Sequence, residues 1–328
     1  MFTRTAITKC ILLSATLITS VIPAHAETIL RLAYAENSQP VKDALQYLGK
    51  AIEEKTNGEV KVQFFPDGQL GGERELVEMT QVGVVDITKV SSGLMESFSP
   101  VYGVFSLPYL FDSQEKFYKT MEDSSIMDTV YQSTEPLGFT GVGWYDSGAR
   151  SFYMSEKPVK KLADLKGKKI RVMQSETSIK TMQLLGASPI AMSQSEVYTS
   201  LQQGIIDGAE NNEFALTIAR HGEVAPYYTY DQHTRIPDII LMSNMTVKKL
   251  TPNQLQAIEE AVKESIELEK SKWADEMAKT RKLAETEFGV QFFEVDHAEF
   301  KQAVQPIYDD LKGKPELYSL YQKINHIK

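Results

Sequence analysis

The sequence predicts an α/β protein built as two lobes of similar plan, with one long helix lying across both. Three observations carry this expectation. The first segment beyond residue 27 reads strand, helix, strand, which is the unit of a parallel sheet. A helix-Gly-strand pattern then occurs twice, at Glu75–Asp86 and at Glu196–Asp207. Finally, a charged, helix-favouring run extends from Thr251 to Phe288. Such a helix would be about 55 Å long, more than one small lobe can accommodate.

Each element has a local reason. Thr28-Ile29-Leu30-Arg31-Leu32-Ala33-Tyr34 reads as a strand. Val41 to Thr56 has helical spacing, with Ala44, Leu45, Leu48, Ala51 and Ile52 on one face. Val60-Lys61-Val62-Gln63-Phe64-Phe65 alternates like a second strand. In the repeated pattern a helix ends at Gly83 or Gly204, a left-handed C-cap position, and an apolar pair and an aspartate enter a strand. Chance recurrence in an α/β protein would produce the same echo, so duplication and coincidence both remain open. Thr251-Pro252-Asn253-Gln254 is a capping box with proline at the first helical position. Two shorter, kinked helices are the alternative to one long one. Phe300–Tyr308 and Pro315–Ile324 read as closing helices.

The first 26 residues look like an export signal. Arg4 and Lys9 form a basic start, Cys10–Ile22 is apolar, and Ala24-His25-Ala26 is a small-x-small cleavage site. Removal after Ala26 would leave a chain beginning at Glu27. Cys10 is the only cysteine and would leave with it, so disulfides, thiolate metal sites and cysteine nucleophiles are not expected. The leader carries two basic and no acidic residues, so net charge moves from −9 to −11 on cleavage. That acidity argues against nucleic acid and anionic membranes as partners.

One side chain poses a chemical question. Arg171 stands at the end of the apolar run Lys169-Ile170-Arg171-Val172, ahead of the capping stretch Gln174-Ser175-Glu176-Thr177-Ser178. A guanidinium there must find an anion, because an unpaired buried charge is very costly. It is also a planar fork suited to a carboxylate. The anion belongs either to the protein or to a ligand.

Seven segments, taken in order, carry a resemblance. They are Phe65-Pro66-Asp67-Gly68-Gln69-Leu70-Gly71, Ser106–Phe111, Leu162–Gly167, Ile170-Arg171-Val172, Gly186–Pro189, Ser195–Tyr198 and Asp207–Asn211. Together they resemble the solute-binding proteins of tripartite ATP-independent periplasmic (TRAP) transporters. The similarity covers essentially the whole chain after the leader. It implies the two-lobe periplasmic solute-binding fold, each lobe a mixed sheet flanked by helices, with hinge strands and a long helix spanning both. The division expected is 27–148 plus 237–276 for lobe I, and 149–236 plus 277–328 for lobe II. The resemblance also implies an organic-acid ligand, a monomer, and small and large membrane permease subunits as partners.

Site residues follow from the resemblance one at a time. Arg171 matches the family arginine that grips the ligand carboxylate. Arg150 matches a second ligand-facing arginine; a hinge ion pair is its plain alternative. Asn211 matches a pocket asparagine, or is a turn residue. Glu73 aligns with an acidic pocket position, or is a solvated helix start. Gln174 aligns with a pocket polar group, or is only a cap. Ser91 and Gln194 replace the acidic and aromatic residues of sialic-acid-binding members, which argues against that ligand. Lys89, late in an apolar strand, offers a further donor or snorkels at the surface. His233 and Asp238 fall near the second crossing between lobes and could bond sugar hydroxyls, a structural histidine being the alternative. The mixture suits a carboxylate bearing several hydroxyls and resembles the uronate-binding subgroup. A hexuronate such as glucuronate or galacturonate is the first expectation, and a C4-dicarboxylate, with Arg150 taking the second carboxylate, is the runner-up.

Other classes fare less well. The sequence has no Gly-x-Ser-x-Gly elbow, His-Glu-x-x-His or phosphate loop. Its five histidines lack metal-ligand spacing. Neither an enzyme nor a cofactor is expected. A sensory role, presenting the ligand to a membrane receptor, remains open beside transport.

Overall fold

The computed structural model describes residues 27–35 and 38–327; the expected leader lies outside them. The chain opens with β1 (Thr28–Tyr34), α1 (Gln39–Lys55), β2 (Val60–Phe65), α2 (Glu73–Gln81) and β3 (Ile87–Ser91). Then come α3 (Ser92–Met95), α4 (Gln114–Glu122), α5 (Ser124–Gln132) and β4 (Phe139–Tyr145). A crossing at residues 146–148 leads to β5 (Ala149–Met154), β6 (Lys169–Val172), α6 (Glu176–Leu184), β7 (Ser188–Ala191), α7 (Val197–Gln202), β8 (Gly208–Asn211) and α8 (Phe214–Thr217). After β9 (Tyr227–Arg235), Ile236 and Pro237 return the chain to β10 (Asp238–Ser243) and α9 (Asn244–Val247). The last part holds α10 (Pro252–Glu287), β11 (Gln291–Glu294), α11 (Ala298–Ala303), α12 (Gln305–Asp310) and α13 (Pro315–His326).

Two mixed sheets result. The first has five strands in the order β2-β1-β3-β10-β4, and the second six in the order β11-β9-β5-β8-β6-β7. In the first, β1, β2 and β3 are parallel and β10 lies antiparallel between β3 and β4. In the second, β8, β6 and β7 are parallel, while β5 is antiparallel to both β8 and β9. Helices cover both sheets, as the α/β two-lobe expectation requires.

The amphipathic face of α1 buries Val41, Ala44, Leu45, Leu48 and Ile52. Full burial of each large aliphatic side chain contributes about 1.5–3 kcal/mol. The long helix α10 is a single element of 36 residues. Its start is the predicted capping box: Gln254 N donates to Thr251 Oγ1 at 3.3 Å and Thr251 N to Gln254 Oε1 at 3.0 Å. It packs against α1 and β4 on the first-sheet side and against α8 on the second. Its Ala284 belongs to the core beneath β5, β8 and β9, and Trp273 meets Phe214 edge to face. The helix therefore touches both lobes.

The internal echo is structural. Gly83 and Gly204 both take positive φ, at 71° and 68°. Asp86 Oδ2 accepts from Arg31 N at 2.8 Å, and Asp207 Oδ2 from Lys169 N at 2.7 Å. The basic side chains match as well: Arg31 Nη2 donates to the Gly83 carbonyl and Lys169 Nζ to the Gly204 carbonyl. The two halves repeat one helix-turn-strand junction with these hydrogen bonds in common, while the Arg31 Nε–Asp86 pair at 3.0 Å belongs to the first junction alone among the described residues.

Two expectations about the C-terminal region need correcting. The closing helix expected over 300–308 is split into α11 and α12 around Val304, just before Pro306. Proline has no N–H to give, so a helix restarts there more easily than it continues. Moreover, α13 packs against Pro100–Ser106 and α5, on the first-sheet side, although 277–328 was expected to belong wholly with the second lobe. Leu317, Leu320 and Ile324 complete the core there.

Candidate site in the cleft between the sheets

Arg171 is the third residue of β6, whose own Ile170 and Val172 are fully buried. Register with β8 places it opposite Ala209, which in turn faces Tyr153 on β5. Its side chain is held in place: Nε and Nη2 donate to the Met192 carbonyl at 3.1 and 2.9 Å, and Nη1 to Gln194 Oε1 at 3.1 Å. A guanidinium has five N–H groups. One on Nη1 and one on Nη2 are thus uncommitted among the described residues. Arg171 is 3% exposed and has no ion-pair partner among the described residues. Burial accordingly shifts it toward the neutral form. The neighbouring His221 shows the same field: burial, and then the Arg171 charge, hold it down at about 3. Its neutral ring bonds the Tyr153 hydroxyl at 2.8 Å.

Arg150 is different. Its Nε and Nη2 grip the Glu210 carboxylate at 2.6 and 3.0 Å, Nη2 also reaches the Glu210 carbonyl, and Nη1 donates to Asn211 Oδ1 at 2.7 Å. Glu210 lies opposite Phe152 on β5, two residues from Arg150, so the pair is a cross-strand diagonal. His233 Nε2 stands 3.4 Å from the same carboxylate, and its Nδ1 is 2.8 Å from Asp231. Burial alone would lower His233, but Asp231 and Glu210 override it and raise it to about 9. Burial alone would raise Glu210, but Arg150 and His233 bring it down to about 2. The ion-pair reading of Arg150 and the structural reading of His233 thus describe where these groups sit. Asn211 spends its oxygen on Arg150 and on Asn212 N. Its amide nitrogen makes no hydrogen bond to any described residue.

The first sheet contributes a second polar cluster. Lys89 and Ser91 stand two apart on β3, all of whose residues are buried, and Ser91 faces Asp238 on β10. Lys89 Nζ lies 2.7 Å from Asp238 Oδ2 and 3.5 Å from Glu73 Oε1. Glu73, at the start of α2, also accepts from Ser91 N at 3.1 Å. Burial pushes the Glu73 carboxyl up, against the pull of Lys89 and with help from Asp238. Lys89 is therefore no snorkelling surface lysine; it is the buried counter-charge of two acids. Gln174 is engaged too, accepting from Arg74 Nε at 2.7 Å.

The ten expected residues fall in three groups. Glu73, Lys89, Ser91 and Asp238 gather on the first sheet, while Arg150, Asn211 and His233 gather on β5, β8 and β9. Arg171 and Gln194 form the third group, with Gln174 at the seam. The seam is closed by direct contact, Ser91 Oγ meeting Met173 Sδ at 3.4 Å. Four participants escaped sequence reasoning: Glu210, Asp231, Arg74 and the Met192 carbonyl. Glu210 lies inside a segment singled out for its asparagine, yet nothing local shows that a strand 60 residues earlier brings Arg150 beside it. Among the described residues no cluster of His, Cys, Asp or Glu could hold a metal ion, and no helix is long and apolar enough to cross a membrane.

A family model described as bacterial extracellular solute-binding protein, family 7, matches residues 33–314. The protein YiiZ of Salmonella typhimurium is 71% identical over 304 residues, covering 93% of each chain. A TRAP periplasmic solute-binding protein from Anaerococcus prevotii, crystallised with bound α/β-D-glucuronate, superposes with a TM-score of 0.88 at 38% identity, covering 91% of this chain and 97% of that one. Another, from Sulfitobacter with bound β-D-galacturonate, gives 0.85 at 33% identity, over 90% and 98%.

Proposed function

Because the chain belongs to bacterial extracellular solute-binding protein family 7, the solute-binding proteins of TRAP transporters, we propose that it captures a hexuronate, D-glucuronate or D-galacturonate, for uptake. The observation that carries this reading is the buried Arg171 guanidinium with two uncommitted N–H groups and no anionic partner in the described protein. A ligand carboxylate is the anion it lacks. Bidentate pairing satisfies both N–H groups at once and replaces the water lost on burial.

The remaining specificity comes from neutral hydroxyls. The Asn211 amide nitrogen is an uncommitted donor, and the Glu73 carboxyl reaches the seam from the other sheet. A C4-dicarboxylate would need a second uncommitted cation. Arg150 is bound by Glu210, and Lys89 by Asp238 and Glu73. That pairing weighs against Arg150 or Lys89 taking a second carboxylate and favours one carboxylate with hydroxyls. The relatives crystallised with glucuronate and galacturonate support the same class.

In this reading the leader is removed after Ala26 and the protein works in the periplasm as a monomer. It closes its lobes, 27–148 with 237–276 and most of the remainder, around the acid, and hands it unchanged to the small and large permease subunits. Closure is favoured only as far as the ligand binds the closed form better. A thermal-shift and calorimetry screen over D-glucuronate, D-galacturonate, aldonates, keto acids and succinate tests it. A uronate at 1,000 times its Kd should add about 4 kcal/mol of stability. Stabilisation by succinate with none by either uronate would overturn the assignment. Recovery of chemically altered ligand would overturn the non-catalytic reading.

A further inference from the structure

The lobes also meet at a place where no ligand atom is needed. Glu96 follows α3 and so hangs from the end of β3 on the first sheet. Its carboxylate sits at the N-terminus of α6, which begins five residues beyond Arg171 on the second. Thr177 donates to Glu96 Oε1 twice, from N at 3.2 Å and from Oγ1 at 2.6 Å, and Ser175 Oγ donates to Oε2. Ser175 Oγ meanwhile accepts from Ser178 N at 3.0 Å as the ordinary cap of α6. The first N–H groups of a helix have no intrahelical partner, and its N-terminal end favours a negative charge. Glu96 supplies that charge from across the cleft.

Two neighbours support the arrangement. Arg74 bridges the same seam, donating from Nε to Gln174 Oε1 at 2.7 Å and from Nη2 to Ser97 Oγ at 2.8 Å. This ties the residue after Glu96 to the one before Ser175. Gly103 provides room: a Cβ there would stand 2.8 Å from Glu96 Oε1. Parting of the lobes at this seam would return Glu96 and the Thr177 donors to water, while Ser175 would still cap α6.

We infer that Glu96 is a positioning residue for ligand capture: by capping α6 across the cleft it stabilises the closed form, and so sets the ligand's residence time. This rests on the reading of lobe closure around a ligand, but not on which acid is bound. Apparent affinity scales with the fraction of protein in the binding-competent form. Losing three charge-assisted bonds should shift the open–closed equilibrium about tenfold, allowing for their replacement by water.

The test uses the chain from Glu27 onward, which contains no cysteine. Spin labels on Lys50→Cys and Gln203→Cys report the distance between lobes. Glu96→Ala should lengthen that distance in ligand-free protein. It should raise the D-glucuronate dissociation rate about tenfold and leave the association rate within about twofold. Glu96→Gln should recover part of the loss, and Thr177→Val should reproduce part of it. The ligand-free melting temperature should fall by no more than a few degrees. Unchanged distances and dissociation rates in a folded Glu96→Ala protein would overturn the inference, as would a lowered melting temperature with unchanged dissociation. Failure of the parent protein to bind either D-glucuronate or D-galacturonate would overturn the uronate reading instead. The ligand-free distances would then decide the role of Glu96 on their own.

Discussion

Replacing each arginine of the site by methionine separates a cation kept for a ligand from one used by the fold. Methionine conserves much of the bulk, so packing changes little. At Arg171 the substitution deletes the proposed carboxylate clamp. Two charge-assisted bonds at about 1.5–3 kcal/mol each weaken binding by roughly 10²- to 10⁴-fold. The same substitution costs the ligand-free protein little. It frees the Met192 carbonyl and Gln194 Oε1 but also removes a buried cation that pairs with no described carboxylate, and these effects oppose one another. The melting temperature should stay within a few degrees. At Arg150 the balance reverses. Glu210 is 2% exposed and would lose its bidentate partner, a change worth about 3–5 kcal/mol. At roughly 2–4 °C per kcal/mol, the melting temperature should fall by on the order of 10 °C. Calorimetry with D-glucuronate and thermal unfolding without it read the two axes independently. If Arg171→Met melts as low as Arg150→Met, Arg171 is a structural cation and the reasoning fails. Retained affinity in a folded Arg171→Met protein refutes it equally.

Gln194→Ala frees Nη1 of Arg171 and should weaken uronate binding roughly 3- to 10-fold by calorimetry, with the ligand-free melting temperature unchanged. Lys89→Met strands Asp238 and Glu73 and should destabilise by about 3–5 kcal/mol in urea at pH 7. That deficit should shrink toward pH 4, because burial already raises the Glu73 carboxyl, and without the pull of Lys89 its protonated form is tolerated. His233, raised to about 9, contributes stability that is complete below its unfolded value near 6.5 and is lost as pH rises through 9. The parent protein should therefore lose up to about 3 kcal/mol relative to His233→Gln between pH 6.5 and 9.5, measured by urea unfolding. A pH-independent difference between the two would show that the ring is neutral in the folded protein. Glu210, lowered to about 2, stabilises above 4.5 and loses that contribution only as pH falls through 2, so it should not affect a pH 5–9 profile.

What was legible in the sequence was mostly local. β1, β2 and the capping box before α10 depend on alternation and on a four-residue motif, and they fall where expected. The echo was legible because its signals, a glycine before an apolar pair and an aspartate, are contiguous. Its depth was not, since Arg31 and Lys169 lie on other strands, 52 and 35 residues from the carbonyls they bond. The same distance effect explains the site. Arg171 was legible because an apolar strand around a charge is a local contradiction. The state of Arg150 and Lys89 depended on partners 60 and 149 residues away. Pattern alone could mark both as notable cations but could not say that each was already neutralised. The split at Val304 was missed because Phe300–Tyr308 keeps its helical spacing through the proline.

The placement of β10 between β3 and β4 has a consequence for how the chain acquires its shape. Its pairings join Asp238 to Ser91 on one side and to Tyr145 on the other. Until residue 243 has been made, the first sheet exists only as β2-β1-β3 and an unattached β4. No fragment ending earlier can hold an intact half of the protein, despite the repeated plan of its two halves. Synthesis must run nearly three-quarters of its course before the first lobe can close its sheet. Folding of the first sheet is thus delayed by connectivity until most of the chain has been made.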